Sequence, residues 1–377
     1  MARKIRMGMV GGSLDAFIGA VHRRAAIMDG EIELVCGAFS SSPEKSKATG
    51  AALYLPEDRV YGSFEEMIQK EKELPEGERM DFVSIVTPNH VHFAPAKMAL
   101  ENGFHVVCDK PVTHKTEDAE ALVKIVEDSG LVFCLTHNYT GYPMVKEAKA
   151  LIAAGVLGKV RKVIVEYPQG WLSTLVEATG QKQASWRTDP ERSGAAGGLG
   201  DIGTHAENLA EYITGLRITE VCADLTIFVE GRKLDDDANV LLRFDNGNRG
   251  VITVSQVSAG RKNRMALEIS GSKKTFSFNS ESPNELWIGN RDGYNELLMR
   301  DPSLVHPEAS SVISFPGGHN EGFPDTSKQM FKEVYAAIEA GSQPENPTFP
   351  TFADGYRELL ICERILESAR SEKWVEI

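Results

Sequence analysis

The sequence has 377 residues, of which 42% are hydrophobic and 25% charged, a composition typical of a globular protein long enough for two domains. Its formal net charge of -13 at pH 7 would repel phosphate backbones, which argues against nucleic acid as a partner. No apolar stretch approaches the roughly 20 residues of a transmembrane helix, so no membrane contact is expected.

The first third of the chain alternates between strand and helix patterns. Such alternation, with continuously apolar strands, predicts a doubly wound parallel sheet of the Rossmann type, covered by helices on both faces. The predicted strands are Ile5–Val10, Ile32–Phe39, Asp81–Val86, Phe104–Val107 and Leu131–Thr136. The predicted helices are Ala16–Met28, a helix capped by Ser42 with Pro43 in its first turn, a helix from the capping box at Ser63, Pro88–Leu100, and Thr116–Asp128 followed by Gly130.

The pattern changes after about Gly158, where β-branched runs follow one another without intervening helices. A turn sequence at residues 245–248 predicts a hairpin, and consecutive strands imply a large, mainly antiparallel open sheet in a C-terminal α/β domain. The predicted strands are Val160–Tyr167, Val221–Val229, Ala238–Phe244, Gly250–Val257, Met265–Ser270 and Thr275–Phe278. Helices are predicted near Thr326–Ala340 and Phe352–Ala369.

These patterns predict an NAD(P)-binding domain over residues 1–140 and a substrate-binding and oligomerisation domain over 141–350. Residues 351–377 are expected to form a helix that packs back between them. The N-terminal segment MARKIRMGMVGG predicts a buried strand rather than a secretory signal. The cysteines lie in apolar contexts without CxxC spacing, which predicts reduced thiols in a cytoplasmic protein and no metal site. They are Cys36, Cys108, Cys134, Cys222 and Cys362.

A glycine-rich segment, Gly8-Met9-Val10-Gly11-Gly12-Ser13, ends the first strand and precedes a helix. Glycines at this point allow a tight turn, and the helix N-terminus offers free N–H groups to a pyrophosphate. The spacing departs from GxGxxG because Ser13 takes the middle position and the last glycine is Gly19. The alternative is a plain strand-to-helix turn.

The second strand is followed by Ser40-Ser41-Ser42, where an acidic residue would favour NAD and an arginine would favour NADP. Neither is present. The serines could bind ribose hydroxyls, Lys45 could reach a phosphate, and Ser42 could simply cap the next helix. The cofactor is therefore NAD or NADP, with NAD preferred.

Polar residues also follow the third and fourth strands, where ligands bind in doubly wound sheets. Asn89 and His92 of Thr87-Pro88-Asn89-His90-Val91-His92 could line a cofactor crevice, or Asn89 and His90 could cap the next helix. In Asp109-Lys110-Pro111, the lysine could bind a substrate hydroxyl and stabilise negative charge on its oxygen. The alternative is an ordinary surface lysine.

The segment Gly197-Gly198-Leu199-Gly200-Asp201-Ile202-Gly203-Thr204-His205 carries an Asp and a His four residues apart. On a helix the two side chains would share a face, with Asp201 holding substrate or tuning the imidazole and His205 acting as general base. Alternatively, Asp201 is a helix cap and His205 a core residue.

Together these motifs resemble the Gfo/Idh/MocA oxidoreductases, the glucose-fructose oxidoreductase and inositol dehydrogenase family, over nearly the whole chain. The glycine-loop segment is similar to a branch that includes levoglucosan dehydrogenase and related sugar oxidoreductases. The motifs match at Gly11, Ser13 and Gly19 for the glycine loop, Thr87-Pro88-Asn89 and His92 for TPNxxH, Asp109-Lys110-Pro111 for EKP with a shortened acid, and Gly197-Gly198, Asp201, Gly203 and His205 for GGxxxDxGxH. The glycine loop departs from the family pattern through the added residues Leu14-Asp15-Ala16-Phe17.

The resemblance implies that Lys110, Asp201 and His205 form the catalytic set, and that the open sheet builds a homodimer or homotetramer. The expected cofactor contacts are Gly11, Gly12, Ser13, Phe17, Ile18, Ser40, Ser41, Lys45, Thr87, Pro88, Asn89, His92, Asp109, Lys110 and Asn138. The expected substrate contacts are Lys110, Tyr139, Trp171, Trp186, Arg187, Asp201, His205 and His319, although each Trp could instead pack in the core.

The sequence thus predicts an NAD(P)-dependent dehydrogenase that moves a hydride to or from a secondary hydroxyl of a sugar, anhydrosugar or cyclic polyol. Lys110 and Asp201 would position the hydroxyl and His205 would take its proton. Two alternatives stay open: a tightly bound NAD serving a redox-neutral elimination or glycoside cleavage, and a non-catalytic sugar sensor.

Overall fold

A computed structural model describes residues 3–377, and the chain divides into two compact units. The first unit contains the chain up to Asn138 together with Phe323–Tyr356, and the second contains Tyr139–Gly322 together with Arg357–Ile377. Residues 323–350 of this segment were expected in the second domain, and residues 351–356 in the C-terminal helix. It groups with the first unit because its long helix, Phe323–Ala340, packs against the helix Phe17–Met28 and contributes Phe331 to the same core.

The first unit is built on a five-stranded parallel sheet with the order β2-β1-β3-β4-β5, which confirms the predicted Rossmann fold. Its strands are β1 (Ile5–Gly11), β2 (Ile32–Ala38), β3 (Phe82–Val86), β4 (His105–Cys108) and β5 (Phe133–Leu135). Its helices are α1 (Phe17–Met28), α2 (Pro43–Ala52), α3 (Phe64–Glu73), α4 (Phe93–Glu101), α5 (Thr116–Ser129) and, from the distant segment, α11 (Phe323–Ala340).

The apolar strands explain why this sheet is covered on both faces. Successive side chains of a strand point to opposite faces, yet Phe82 and Val83 of β3 and Val106 and Val107 of β4 are all buried. A sheet with two apolar faces needs a helical layer on each of them, and the helices joining parallel strands supply those layers.

Capping residues set the starts of two helices as the sequence predicted. The Ser42 hydroxyl accepts a hydrogen bond from the Lys45 amide at 3.3 Å, and the Ser63 hydroxyl accepts one from the Glu66 amide at 3.2 Å. The Glu66 carboxylate accepts in turn from the Gly62 amide at 2.8 Å, so the capping box closes one residue earlier than usual.

The second unit contains a nine-stranded sheet with the order β13-β12-β11-β10-β6-β9-β8-β7-β14. All neighbours in it are antiparallel except the β6–β9 pair, which confirms the predicted mainly antiparallel sheet. The strands are β6 (Val160–Pro168), β7 (Ile218–Thr226), β8 (Asp237–Phe244), β9 (Arg249–Ser255), β10 (Ala266–Gly271), β11 (Lys274–Asn279), β12 (Glu285–Asn290), β13 (Glu296–Met299) and β14 (Val375–Glu376).

The strand β7 runs from Ile218 to Thr226, so the predicted strand Val221–Val229 begins too late and extends too far. Beyond that point the Asp236 carboxylate accepts the amides of Phe228 and Val229, at 2.8 and 3.1 Å, which folds the backbone away from the sheet.

The helices of the second unit were largely absent from the sequence prediction. The chain forms α6 (Pro143–Ala153), α7 (Lys182–Arg187), α8 (Pro190–Ser193), α9 (Thr204–Thr214) and α10 (Pro307–Ser310). The last helix, α12 (Phe352–Ser371), belongs to the first unit up to Tyr356 and to the second unit from Arg357. Among residues 3–377, no helix combines the length and apolar character needed to cross a membrane.

Candidate active site

The glycine loop turns the chain from β1 into α1. Gly11 and Gly12 have φ angles of +83° and +74°, in the left-handed region that side-chain-bearing residues rarely adopt. A Cβ added to Gly19 would run into the backbone of Gly12, so this residue lets α1 approach the loop closely. Close helix–strand packing is the role of the last glycine in dinucleotide-binding loops. The altered loop therefore keeps the geometry of a phosphate-binding turn.

A buried polar atom beside this turn fits a cofactor. The hydroxyl of Thr87, at the end of β3, is buried and has no hydrogen-bond partner within the described part of the chain. A Cβ on Gly11 would lie 2.9 Å from the Thr87 methyl group, so glycine is needed for the turn to pass this close to the end of β3. An orphaned hydroxyl next to an open glycine turn is the arrangement that a bound dinucleotide would complete.

The loop also presents exposed side chains. Leu14 and Phe17 are 59% and 60% exposed, whereas Ile18 packs against the core of the unit. The Ser13 hydroxyl is buried and donates to Asp15 at 2.6 Å. Of the predicted cofactor contacts in this loop, Phe17 is thus accessible to a ligand, and Ile18 is partly buried.

The segment after β2 contains Ser40, Ser41 and Lys45, as the sequence predicted. The Ser40 hydroxyl accepts from the Ser42 amide at 3.2 Å, and Ser41 is exposed. The Lys45 ammonium lies 2.8 Å from the carboxylate of Asp15, so the lysine is paired with an acid of the glycine loop.

His92 joins the loops after β3 and β4. Its ring nitrogens lie 2.8 Å from the Pro111 carbonyl oxygen and 2.9 Å from the Thr87 carbonyl oxygen, and the side chain is fully buried. Burial is the main cause that lowers the pKa of His92, with the charge of Asp109 opposing it. Both ring nitrogens face protein carbonyls, which favours a positioning role for His92 over the direct cofactor contact expected from the sequence.

Pro88, Asn89 and His90 lie in the segment between β3 and α4. Asn89 is buried in a short turn, Asn89–Val91, and α4 starts only at Phe93 without a side-chain cap, so neither Asn89 nor His90 caps the helix. The Pro88 side chain next to it is half-buried.

The segment after β4 carries the predicted catalytic lysine. Asp109 accepts a hydrogen bond from the Thr136 hydroxyl at 2.9 Å, which links it to the end of β5. Lys110 is half-buried and is followed by a cis peptide bond to Pro111. Asn138 donates to the Thr326 hydroxyl at 3.0 Å.

In the second unit, the glycine-rich segment forms one π-helical turn, Leu199–Gly203, which continues into α9. Such turns are rare and occur frequently at functional sites. The Asp235 carboxylate accepts from the amides of Gly197 and Leu199, at 2.6 and 2.7 Å. A Cβ on Gly197 would overlap the Asp235 backbone, so the glycine is needed for this docking.

Asp201 lies within the π-helical turn and is held from two sides. Its Oδ2 accepts from the Gln256 amide at 2.8 Å and from the Arg187 Nε at 3.1 Å. The Arg187 guanidinium also lies 4.1 Å from the centre of the Trp186 ring and donates to the Gln183 side chain at 2.7 Å. Arg187, expected to bind substrate, therefore fixes the carboxylate, and Trp186 supports the arginine.

His205 is 8% exposed and faces two tyrosines. The Tyr139 ring meets it edge-on, with centroids 5.0 Å apart, and the Tyr167 centroid lies 6.1 Å away. The two hydroxyls lie 2.5 Å apart; the Asn263 carbonyl accepts from Tyr167 and its amide donates to Tyr139, both at 2.8 Å. Burial raises the pKa of both tyrosines, so they stay protonated near neutral pH.

The remaining predicted substrate residues are Trp171, which reaches this network through Gln169, and His319. The Trp171 indole donates to Gln169 at 3.0 Å, and Gln169 donates to Asn263 at 2.6 Å. His319 is exposed, four residues before α11, and its backbone carbonyl accepts from Arg300.

Sequence reasoning missed four residues that hold this site: Tyr167, Asp235, Gln256 and Asn263. Tyr167 and Gln256 lie at or just beyond the ends of β6 and β9, strands that pair in parallel. Polar residues at the carboxyl ends of neighbouring parallel strands were the available signal, but the mainly antiparallel sheet that the pattern predicted did not identify β6 and β9 as the parallel pair.

Two family models match the chain. Residues 5–137 match an oxidoreductase family with an NAD-binding Rossmann fold, and residues 145–277 match the GFO/IDH/MocA C-terminal domain. The first match lies within the parallel-sheet unit and the second within the unit that carries Asp201 and His205.

Similar proteins are known from several bacteria. An oxidoreductase from Sinorhizobium meliloti is 41% identical, with a TM-score of 0.89 over 99% of both chains. An inositol dehydrogenase homolog from Azotobacter vinelandii, complexed with NADH and myo-inositol, is 31% identical, with a TM-score of 0.90 over 100% of this chain and 98% of that one. Levoglucosan dehydrogenase from Pseudarthrobacter phenanthrenivorans is 29% identical over 78% of this chain and 79% of its own. This chain is a dehydrogenase of the Gfo/Idh/MocA oxidoreductase family.

Proposed function

We propose that this protein oxidises, or in reverse forms, a secondary hydroxyl of a sugar, anhydrosugar or cyclic polyol with a nicotinamide cofactor. The observation that carries the proposal is the Asp201 carboxylate, fixed by Gln256 and Arg187 in a π-helical turn that leads into the helix of His205. A carboxylate and an imidazole one turn apart suit the binding and deprotonation of an alcohol.

Each member of the proposed catalytic set has one task. Asp201 accepts a hydrogen bond from the hydroxyl next to the reacting one and so orients the reacting hydroxyl. His205 takes the hydroxyl proton as the C–H bond breaks, and Lys110 stabilises the negative charge that develops on oxygen. When bound, the nicotinamide ring accepts the hydride in one direction and donates it in the other.

The relatives narrow the substrate class. One was solved with NADH and myo-inositol, a cyclic polyol, and another is named for levoglucosan, an anhydrosugar. Both ligands present secondary hydroxyls on a rigid ring. We infer a ring-shaped polyhydroxy substrate for this chain, with Trp186 contributing apolar surface to the pocket; Tyr139, predicted as a substrate contact, is 2% exposed and instead packs against His205.

The cofactor is NAD in this proposal. Gly11, Gly12 and the start of α1 would bind the pyrophosphate, and Thr87 would give its buried hydroxyl to the bound dinucleotide. Neither the β2 end nor the next residues supply the arginine that accommodates a 2′-phosphate.

The open sheet is the proposed subunit interface. Trp287 of β12 pairs with Leu297 of β13, and the two side chains are 38% and 52% exposed. Leu241 of β8 is 49% exposed on the same sheet. Exposed apolar side chains on a wide sheet are typical of protein–protein contacts, so we infer a homodimer or homotetramer formed through this sheet.

Reduction of NAD should be followed with a panel of cyclic polyols, anhydrosugars and aldoses. At least one is expected to give steady accumulation of reduced nicotinamide. His205→Gln should lower kcat by about 10²- to 10⁴-fold while NADH still binds, since proton transfer by a positioned base contributes that much. Full turnover by His205→Gln would overturn the assigned base, and the absence of cofactor reduction with every substrate would overturn the proposal.

A further inference from the structure

We infer that Asp15, from the lengthened glycine loop, is the acid that binds the adenosine ribose hydroxyls and makes this enzyme selective for NAD over NADP. The inference deepens the proposed function and rests on the use of a dinucleotide. In most NAD-binding sheets the acid that binds this ribose follows β2 directly. Here no carboxylate does so, and we assign its role to Asp15 from the loop after β1.

The position of Asp15 follows from the sheet. β1 and β2 are parallel neighbours paired from Ile5↔Ile32 to Val10↔Ala38, so both strands end at the same edge. The adenosine ribose of a dinucleotide lies at that edge, between the first glycine turn and the end of the second strand. Asp15 comes from the first of these segments and contacts Lys45, which lies in α2, directly after the second.

Two contacts fix the orientation of the Asp15 carboxylate. One oxygen accepts from the Ser13 hydroxyl at 2.6 Å, and the other lies 2.8 Å from the Lys45 ammonium. A carboxylate offers about four lone-pair sites, so such a group can also accept from the two hydroxyls of a ribose. The Asp15 side chain is 49% exposed and can therefore be reached by a ligand.

The same contacts explain discrimination against a phosphate. A 2′-phosphate would meet the negative charge of Asp15, and it would also lose the 2′-hydroxyl that donates to the carboxylate. Lys45 of α2 is already paired with Asp15 and is weakened as a phosphate ligand.

A second acid nearby provides a matched control. Glu44 precedes Lys45, and its carboxylate accepts from the Ser42 hydroxyl at 2.7 Å within the N-terminal turn of α2. Unlike Asp15, it has no contact with the glycine loop among the described hydrogen bonds and ion pairs. Glu44→Gln removes one negative charge from the same turn without touching the proposed ribose ligand.

The test is equilibrium binding of NADH and NADPH, measured by nucleotide fluorescence in the absence of substrate. The wild type is expected to bind NADH at least ~10-fold more tightly than NADPH, because a charge-assisted hydrogen bond is worth a factor of that size. Asp15→Asn should reduce this ratio by ~10- to 100-fold, mainly through tighter NADPH binding to the released Lys45, and Glu44→Gln should leave it within about twofold.

The double variant Asp15→Asn/Lys45→Met should lose the gained NADPH affinity. A wild type that prefers NADPH, or an unchanged ratio in Asp15→Asn, would overturn the inference. So would failure of the wild type to bind either nucleotide. Tight and selective NADH binding without oxidation of any polyol would leave the inference supported and would instead reject the proposed reaction.

Discussion

Arg187 and Asp201 form a partly buried ion pair, with the arginine Nε 3.1 Å from the aspartate Oδ2 and side-chain exposures of 21% and 13%. The pair joins α7 to the π-helical turn, two segments that residues 188–198 separate in the chain. Because Gln256 donates to the same oxygen, the carboxylate has its orientation set before any substrate arrives. Preorganisation of this kind lowers the cost of reaching a reactive geometry.

Arg187→Met should therefore impair catalysis through Asp201. We expect kcat/KM for the polyol to fall by ~10- to 100-fold, since a hydrogen bond to a charged group contributes about 1.5–3 kcal/mol. NADH affinity should stay within about twofold of wild type, because the first unit is unchanged. Arg192→Met, a change of the same type in the following short helix α8, is the control and should retain near-normal kinetics. Equal losses in both variants would point to general damage rather than to the ion pair.

The tyrosine pair beside His205 leads to a separate expectation for Tyr167→Phe. The change removes the hydroxyl that contacts Tyr139 and donates to Asn263, and it leaves buried polar groups without that partner. Unfolding in denaturant should show a loss of about 1–3 kcal/mol, and kcat should also fall because the Tyr139 ring that packs on His205 loses its anchor. Tyr294→Phe, at a position 95% exposed, should be neutral in both measurements. Full stability in Tyr167→Phe would contradict the view that this network is closed and buried.

How far the sequence could predict the structure differs between the two units. In the first unit, strands buried on both faces are continuous apolar runs, and local caps such as Ser42 and Ser63 mark the helix starts. These signals are local, so periodicity and capping rules recover them. The glycine loop was also recognisable, because backbone positions with positive φ angles are usually occupied by glycine.

In the second unit, much of the site depends on contacts between distant residues. Asp235 binds the amides of residues 38 and 36 positions earlier, and Gln256 reaches Asp201 across 55 positions. No local sequence pattern predicts contacts between residues so far apart in the chain. The strands β12 and β13, at one end of the sheet, were missed because a half-exposed, short strand such as Glu296–Met299 lacks a clear apolar alternation.

Stability should fall in mild acid, in part through His22. This residue is buried, its Nδ1 lies 2.9 Å from the Ser84 hydroxyl, and its ring meets Phe331 edge-on. Burial lowers the pKa of His22 from 6.5 in the folded state, so below pH 6.5 the unfolded chain takes up a proton that the folded chain does not. The free energy of unfolding then falls with decreasing pH, by up to about 1.4 kcal/mol per pH unit for one site.

Denaturant unfolding between pH 7.5 and 5 would test whether the free energy of unfolding falls with decreasing pH. His22→Gln keeps a polar group near Ser84 but cannot titrate, so its stability should decline less than that of wild type over the same range. His319→Gln, at an exposed position, should follow the wild-type curve. A steeper decline in His22→Gln would reverse the assignment.

The close approach of α1 to the glycine loop predicts the outcome of Gly19→Ala. The added methyl group would meet the Gly12 backbone, which is flanked by the Arg23 side chain that donates to the Gly12 carbonyl at 2.6 Å. Neither neighbour can yield without moving the loop, so we expect a destabilisation of about 1–3 kcal/mol and a clear loss of NADH affinity. Gly77→Ala offers a matched control, because a Cβ there meets nothing within 4 Å. Differential scanning calorimetry and NADH titration of the two variants would separate a packing effect from a loop effect. Unaltered NADH affinity in Gly19→Ala would mean that the loop holds its shape independently of the helix, and the role given to the third glycine would then be wrong.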